Sequence, residues 1–164
     1  MILHYCDISG IAKDEEGCGH CGYVGYERAA FLPTLFGENG EEIWPSPSAM
    51  YAMKPERSSL GSGGGKKKKT TTIKTSLNFR KVETILPLLR KVRVTVYVTY
   101  GYGEETKLAN ALQYDVNNGN LCSREAVISW RHADIPTMAE KLGCGTCNGC
   151  PASWAGGQLD FDLG

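Results

Sequence analysis

The longest regular alternation of apolar and polar residues runs from Val92 to Tyr100. Val92, Val94, Val96, Val98 and Tyr100 fall on one side, and Arg93, Thr95, Tyr97 and Thr99 on the other. A period of two sends successive side chains to opposite faces of a strand, so the valines belong to a core face. Arg93 and Tyr97 would give the other face a platform for stacking bases, although an ordinary solvated sheet face has the same pattern. Leu112, Tyr114 and Val116 alternate as a second strand, and Asn117-Asn118-Gly119-Asn120 has the composition of a hairpin turn. Leu121 to Trp130 returns as a further strand, Thr70 to Arg80 alternates as well, and Met1 to Cys6 reads as a short strand.

The helical period is weaker. Val82, Ile85, Leu86 and Leu89 share one helical face within 81–91, with Pro87 expected to break or kink it. Asp134 as N-cap, Pro136 in the first turn and Gly143 as the stop frame a short helix over about 135–142. Pro33 argues against a long helix between Tyr26 and Phe36. The Gly37–Gly40 stretch is a turn, and Pro45-Ser46-Pro47-Ser48 imposes extended backbone ahead of Ala49–Met53. Together these predict an α+β fold, a mainly antiparallel sheet with one or two short helices.

The 164 residues are 41% hydrophobic and 22% charged, which fits one globular domain over 1–164. Two segments stand apart. Residues 58–69, Gly/Ser-rich and ending in four lysines, read as a flexible loop, and 155–164 as a Gly-rich acidic tail. No run of 18 apolar residues is present, so no membrane span is expected. The first residues lack the basic and apolar regions of a secretory signal, which points to a cytoplasmic location.

Net charge is zero, but it is segregated. Residues 1–53 carry two basic and eight acidic side chains, 54–107 thirteen and four, and 108–164 three and six. A basic middle between acidic ends is either internal neutralisation or a face for a polyanion. The candidate phosphate contacts are Lys66, Lys67, Lys68, Lys69, Lys74, Arg80, Lys81, Arg90, Lys91 and Arg93.

Cysteine spacing supplies the candidate chemistry. Cys18-Gly-His20-Cys21-Gly22-Tyr23 and Cys144-Gly-Thr-Cys147-Asn-Gly-Cys150 each place thiolates two residues apart, and two such pairs complete a tetrahedral Cys₄ zinc site. Gly22 and Asn148 tolerate the left-handed backbone favoured after the second sulfur. Cys147/Cys150 is instead followed by Pro151, which has no N–H to give, so Cys144 with Cys147 is preferred. Cys150, His20, Cys6 and His4 are alternate ligands. The first knuckle resembles those of zinc ribbons and rubredoxins over about six residues, and the second over four. That resemblance implies one metal ion joining the N- and C-terminal regions, without separating zinc from iron.

Other constellations are incomplete. The lysine run lacks the Ser or Thr and the leading Gly of a phosphate-binding P-loop, since Leu60 and Lys67 stand at those places. The tetrapeptide Cys18-Gly-His-Cys21 also occurs in disulfide isomerases, but neither the strand before it nor the helix after it is predicted. His132-Ala-Asp134 with Cys144–Cys147 faintly resembles HNH nucleases, without a second His for metal or base chemistry. The sequence therefore points to a non-enzymatic, zinc-stabilised nucleic-acid binder within a larger assembly. The alternatives are an adaptor or inhibitor with an acidic or nucleic-acid-binding protein partner, a metal-dependent nuclease, and a thiol or iron redox protein. Trp44, Trp130 and Trp154 are candidate anchors for a protein partner.

Overall fold

The computed structural model describes residues 2–4 (as backbone), 21–37, 43–56, 77–121 and 125–144. Its centre is β4, Pro47–Ala52, flanked on one side by β6, Glu125–Trp130, and on the other by β5, Val96–Tyr97. β1, Ile2–His4, pairs with the far side of β6, giving the order β1-β6-β4-β5. Every pairing among the described residues is parallel, with Met50 opposite both Val96 and Val127, and Ile2 opposite Ile128. A separate two-stranded parallel ribbon joins β2, Phe36–Gly37, to β3, Trp44–Pro45.

Parallel strands need long crossovers, and helices supply them. α2, Arg80–Val92, connects β4 to β5. α3, Glu105–Asn117, connects β5 to β6, and α4, Ile135–Lys141, follows β6. Ile85 and Leu88 of α2 pack with Met50, Ala52 and Val127 on one face of the sheet. Leu108 and Leu112 of α3, with Ile135 and Met138 of α4, pack against Ala49, Tyr51, Ile128 and Trp130 on the other. α1, Tyr23–Phe31, lies against α2 and runs into a 3₁₀ turn, Leu32–Leu35, that carries Pro33. The described residues thus form a three-layer α/β/α arrangement.

The expected mainly antiparallel sheet is therefore corrected to an all-parallel one within a mixed α and β fold. A strand covered by helices on both faces reads as a continuous apolar run instead of an alternation. Ala49-Met50-Tyr51-Ala52-Met53 and Ala126-Val127-Ile128 are such runs. The alternation at 92–100 does appear in exposure, with Val94, Val96 and Val98 half-buried and Thr95, Tyr97 and Thr99 exposed. Only Val96 and Tyr97 form ladder pairs there, and Val92 ends α2.

Leu112, Tyr114 and Val116 are helical, not a strand. Leu112 is buried, whereas Tyr114 and Val116 face outward. Asn117–Asn120 ends that helix instead of turning a hairpin. Gly119 adopts φ +79°, its N–H reaches the Val116 carbonyl at 3.1 Å, and Asn120 N–H reaches Asp115 at 2.8 Å. That pair of bonds is a Schellman cap, which requires a residue at ease in the left-handed region. α2 passes through Pro87 unbroken. The predicted helix near 135–142 is present as α4, with Pro136 in its first turn.

Candidate functional site

The residues singled out by the sequence are distributed as follows. Cys21 is buried, accepts a place beside α2 by donating its N–H to Glu83 Oε2 at 2.8 Å, and sets its Sγ 3.8 Å from the Arg80 carbonyl. Cys144 donates its N–H to the Ala139 carbonyl of α4 at 2.9 Å. The two stand on opposite faces of the sheet, and both are disulfide-bonded. Among the described residues no three potential metal ligands cluster. Cys6, Cys18, His20, Cys147, Cys150, Trp154, Lys66, Lys67, Lys68, Lys69 and Lys74 lie outside the described residues, as do the 58–69 loop and the 155–164 tail, and His4 is described only as backbone.

The basic residues divide between the two ends of α2. Arg80 and Lys81 open it, while Arg90 and Lys91 close it and Arg93 caps it at φ 55°. Thirteen residues at about 1.5 Å each separate these groups by roughly 15–20 Å. Lys91 is committed to structure, its Nζ donating to the carbonyls of Pro33 and Phe36. Trp44 is 43% exposed and Trp130 fully buried, so of these two only Trp44 is placed to meet a partner.

The topology itself marks a different place. From β4 the chain moves outward to β5, then returns across β4 to β6, so the winding reverses between β4 and β6. In open parallel sheets the crevice outside the carboxyl ends of the strands at such a reversal is where ligands bind. Three loops meet at this edge. They are Met53–Glu56 after β4, Val98–Glu104 after β5, and Arg131–Asp134 after β6, with the first turn of α2 beside them.

The loop after β5 is rich in carboxylate contacts. Gly101 N–H donates to Glu104 Oε2 at 2.8 Å, Tyr102 N–H to Glu56 Oε1 at 2.6 Å, and Gly103 N–H to Glu105 Oε1 at 3.1 Å. Gly103 turns at φ +77°, a left-handed backbone that glycine adopts without strain. Glu105 Oε1 also accepts from the buried indole of Trp130 at 3.1 Å. Each of these three successive N–H groups is taken by a different carboxylate of the protein. An external anion would have to bind elsewhere along this edge.

Lys81 borders the same edge from the first turn of α2. It is 4% exposed, and burial pushes its ammonium down to about 8, with Arg80 adding to the fall, Glu56 opposing it, Arg131 adding and Asp134 opposing. Its amine therefore feels the charges of Glu56 after β4 and of Arg131 and Asp134 after β6. Arg131 is held in a two-pronged pair with Asp134, Nε to Oδ2 at 2.7 Å and Nη2 to Oδ1 at 2.8 Å. The Asp134 carboxylate, expected as the N-cap of α4, is engaged by this pair and makes no capping bond. Hydrogen bonding to Asp134 raises the Arg131 guanidinium further above its ordinary value. Asn78 Oδ1 accepts both the backbone N–H and Nε of Arg80, at 3.2 and 3.3 Å, orienting the residue next to Lys81.

Of this group the sequence indicated only Arg80 and Lys81, and for a different role. Glu56, Tyr102, Glu105 and Arg131 come together only through strand order. The one local signal was Gly101-Tyr102-Gly103-Glu104-Glu105, a glycine turn between a strand pattern and acidic residues suited to opening a helix. A shallow cavity of about 320 Å³ lies away from this edge, lined by Leu112, Gln113, Val116, Asn117 and Leu142 near the end of α3. It holds no ionisable side chain and offers no comparable chemistry. No helix among the described residues is long and apolar enough to cross a membrane. Comparison of the chain with protein-family models, curated proteins and solved structures finds no match.

Proposed function

We propose that this protein binds a small phosphate-bearing or carboxylate-bearing ligand in the crevice beyond the carboxyl ends of β4 and β6. The observation that carries the reading is the reversal of the sheet between β4 and β6, with Arg80 and Lys81 opening α2 and Arg131 following β6 at that edge. Glu56, Glu104, Glu105 and Asp134 each accept from a donor within the protein, so the carboxylates at this edge are engaged. The test is isothermal titration with inorganic phosphate and with a nucleoside monophosphate at constant ionic strength. Saturable one-to-one binding that is lost in Lys81→Met supports the reading, and absence of binding by both ligands removes it.

A second reading is the zinc-stabilised binder of nucleic acid. Its support is the pair of exposed cations Arg90 and Arg93 at the far end of α2, together with the basic balance of 54–107. A salt series decides between the two. Contact along a nucleic-acid backbone gives a steep logarithmic slope through several displaced counterions, whereas a single buried ammonium gives a shallow one.

A further inference from the structure

β5 stands at the edge of the sheet, and among the described residues no strand lies on its outer side. Its inner side is held to β4 beyond the two ladder residues. Met50 N–H donates to the Thr95 carbonyl at 3.2 Å, and Lys54 N–H to the Tyr100 carbonyl at 2.8 Å. With Thr95 and Tyr97 turned toward β4, the backbone N–H and C=O groups of Val96 and Val98 point away from it, and no described residue bonds to them. An open row of such groups is a template for another strand, and edges left in water are blunted by Pro, charge or a bulge. Thr95–Tyr100 has neither a Pro nor a charged side chain.

The two faces of this edge call for different side chains. Val94, Val96 and Val98 are half-buried, the first two against the cluster beneath α2, so a strand beside them completes their burial with apolar residues on that face. Thr95, Tyr97 and Thr99 are exposed on the other. Arg90 and Arg93, at the end of α2 that leads into this strand, are exposed and enter no ion pair among the described residues. The complementary strand therefore alternates apolar residues with acidic ones.

The chain contains such a stretch, Leu159-Asp160-Phe161-Asp162-Leu163, which lies outside the described residues. Fifteen positions separate it from Cys144, just past α4, and that length extends to about 50 Å. The four strands of the sheet span only about 15 Å from first to last. We propose that residues 159–163 add to the outer edge of β5 in the same chain. Leu159, Phe161 and Leu163 cover the valines, while Asp160 and Asp162 face the hydroxyls of Thr95, Tyr97 and Thr99 and the field of Arg90 and Arg93.

Exchange of single amides in the full chain, followed by NMR, tests this. Tyr97 N–H, turned toward β4, is the internal reference. In the wild type the Val96 and Val98 amides are protected. In Leu159→Asp with Phe161→Asp they exchange at least about tenfold faster while Tyr97 is unchanged. Asp160→Lys with Asp162→Lys, which keeps the apolar residues, speeds them as well. Wild-type Val96 and Val98 amides that exchange as in an unstructured peptide overturn the proposal. So does protection that survives both variants, because a different segment then covers the edge. Protection that grows with protein concentration gives the edge to a second copy and overturns it too.

Discussion

The guanidinium carbon of Arg131 lies 4.1 Å from the centre of the Tyr102 ring, tying the loop after β6 to the loop after β5. Tyr102 is 56% exposed, yet its backbone N–H is also held by Glu56 after β4, so one residue fastens all three loops at the edge of the crevice. Both halves of the contact are fixed independently, Arg131 by Asp134 and Tyr102 by Glu56. The ring and the guanidinium therefore meet with little ordering left to lose.

This arrangement predicts that Arg131→Lys lowers stability by about 1–2 kcal/mol. Lysine keeps the charge but loses the two-pronged geometry and the flat face that stacks. Tyr102→Ala costs less, about 0.5–1 kcal/mol, because the ring is half in solvent. Urea unfolding monitored by the buried Trp130 checks both, and equal losses for the two variants would contradict the ranking.

Trp130→Phe tests the buried polar pair beneath the same loop. The indole N–H donates to Glu105 Oε1, and phenylalanine leaves that largely buried carboxylate one donor short. The expected loss is about 1–3 kcal/mol, and Glu105→Gln in the same background should return part of it, since the amide is cheaper to leave underbonded. Denaturation midpoints of the two variants compared by circular dichroism give the answer.

Stability should depend on pH through Lys81. Its folded value of about 8 lies below the ordinary 10.5, so between these values the unfolded chain holds more protons than the folded one. Stability then rises with pH, beginning near 8 and levelling near 10.5, by an amount on the order of 2 kcal/mol. Lys81→Met removes the rise. Unfolding free energies at several pH values for both chains show whether the slope belongs to this residue.

The state of the cysteines is directly measurable. Cys21 and Cys144 are each disulfide-bonded, so alkylation of the denatured, unreduced chain leaves both unlabelled until a reductant is added. If instead both are labelled without reductant and one equivalent of zinc or iron is released, the sulfurs serve the metal centre that their spacing proposes.

Much of the local structure was legible. The α4 signals at Asp134, Pro136 and Gly143, the strand at the N-terminus and the inward valines near 96 follow from residue types and periods that act over a few positions. Strand direction was not legible, because Leu112, Tyr114 and Val116 carry a period of two although they lie in a helix that turns only Leu112 inward. The deciding fact, that Ala49–Met53 is covered on both faces, is set by distant helices. Gly119 illustrates the same ambiguity, since a left-handed residue serves a hairpin and a helix stop equally well. The crevice was hidden for a related reason. Glu56, Lys81, Tyr102 and Arg131 are spread over 76 positions and meet only once β6 inserts beside β4. Charge counting found Arg80 and Lys81, but it grouped them with Arg90 and Arg93, which the length of α2 carries away.

The most direct measurement is phosphate affinity as a function of pH, by titration calorimetry on the wild type and on Lys81→Met. Binding through a protonated Lys81 weakens by about tenfold per pH unit above about 8 and is lost in the variant. Affinity that stays level from about pH 8 to about pH 10, and that survives the substitution, would contradict the account.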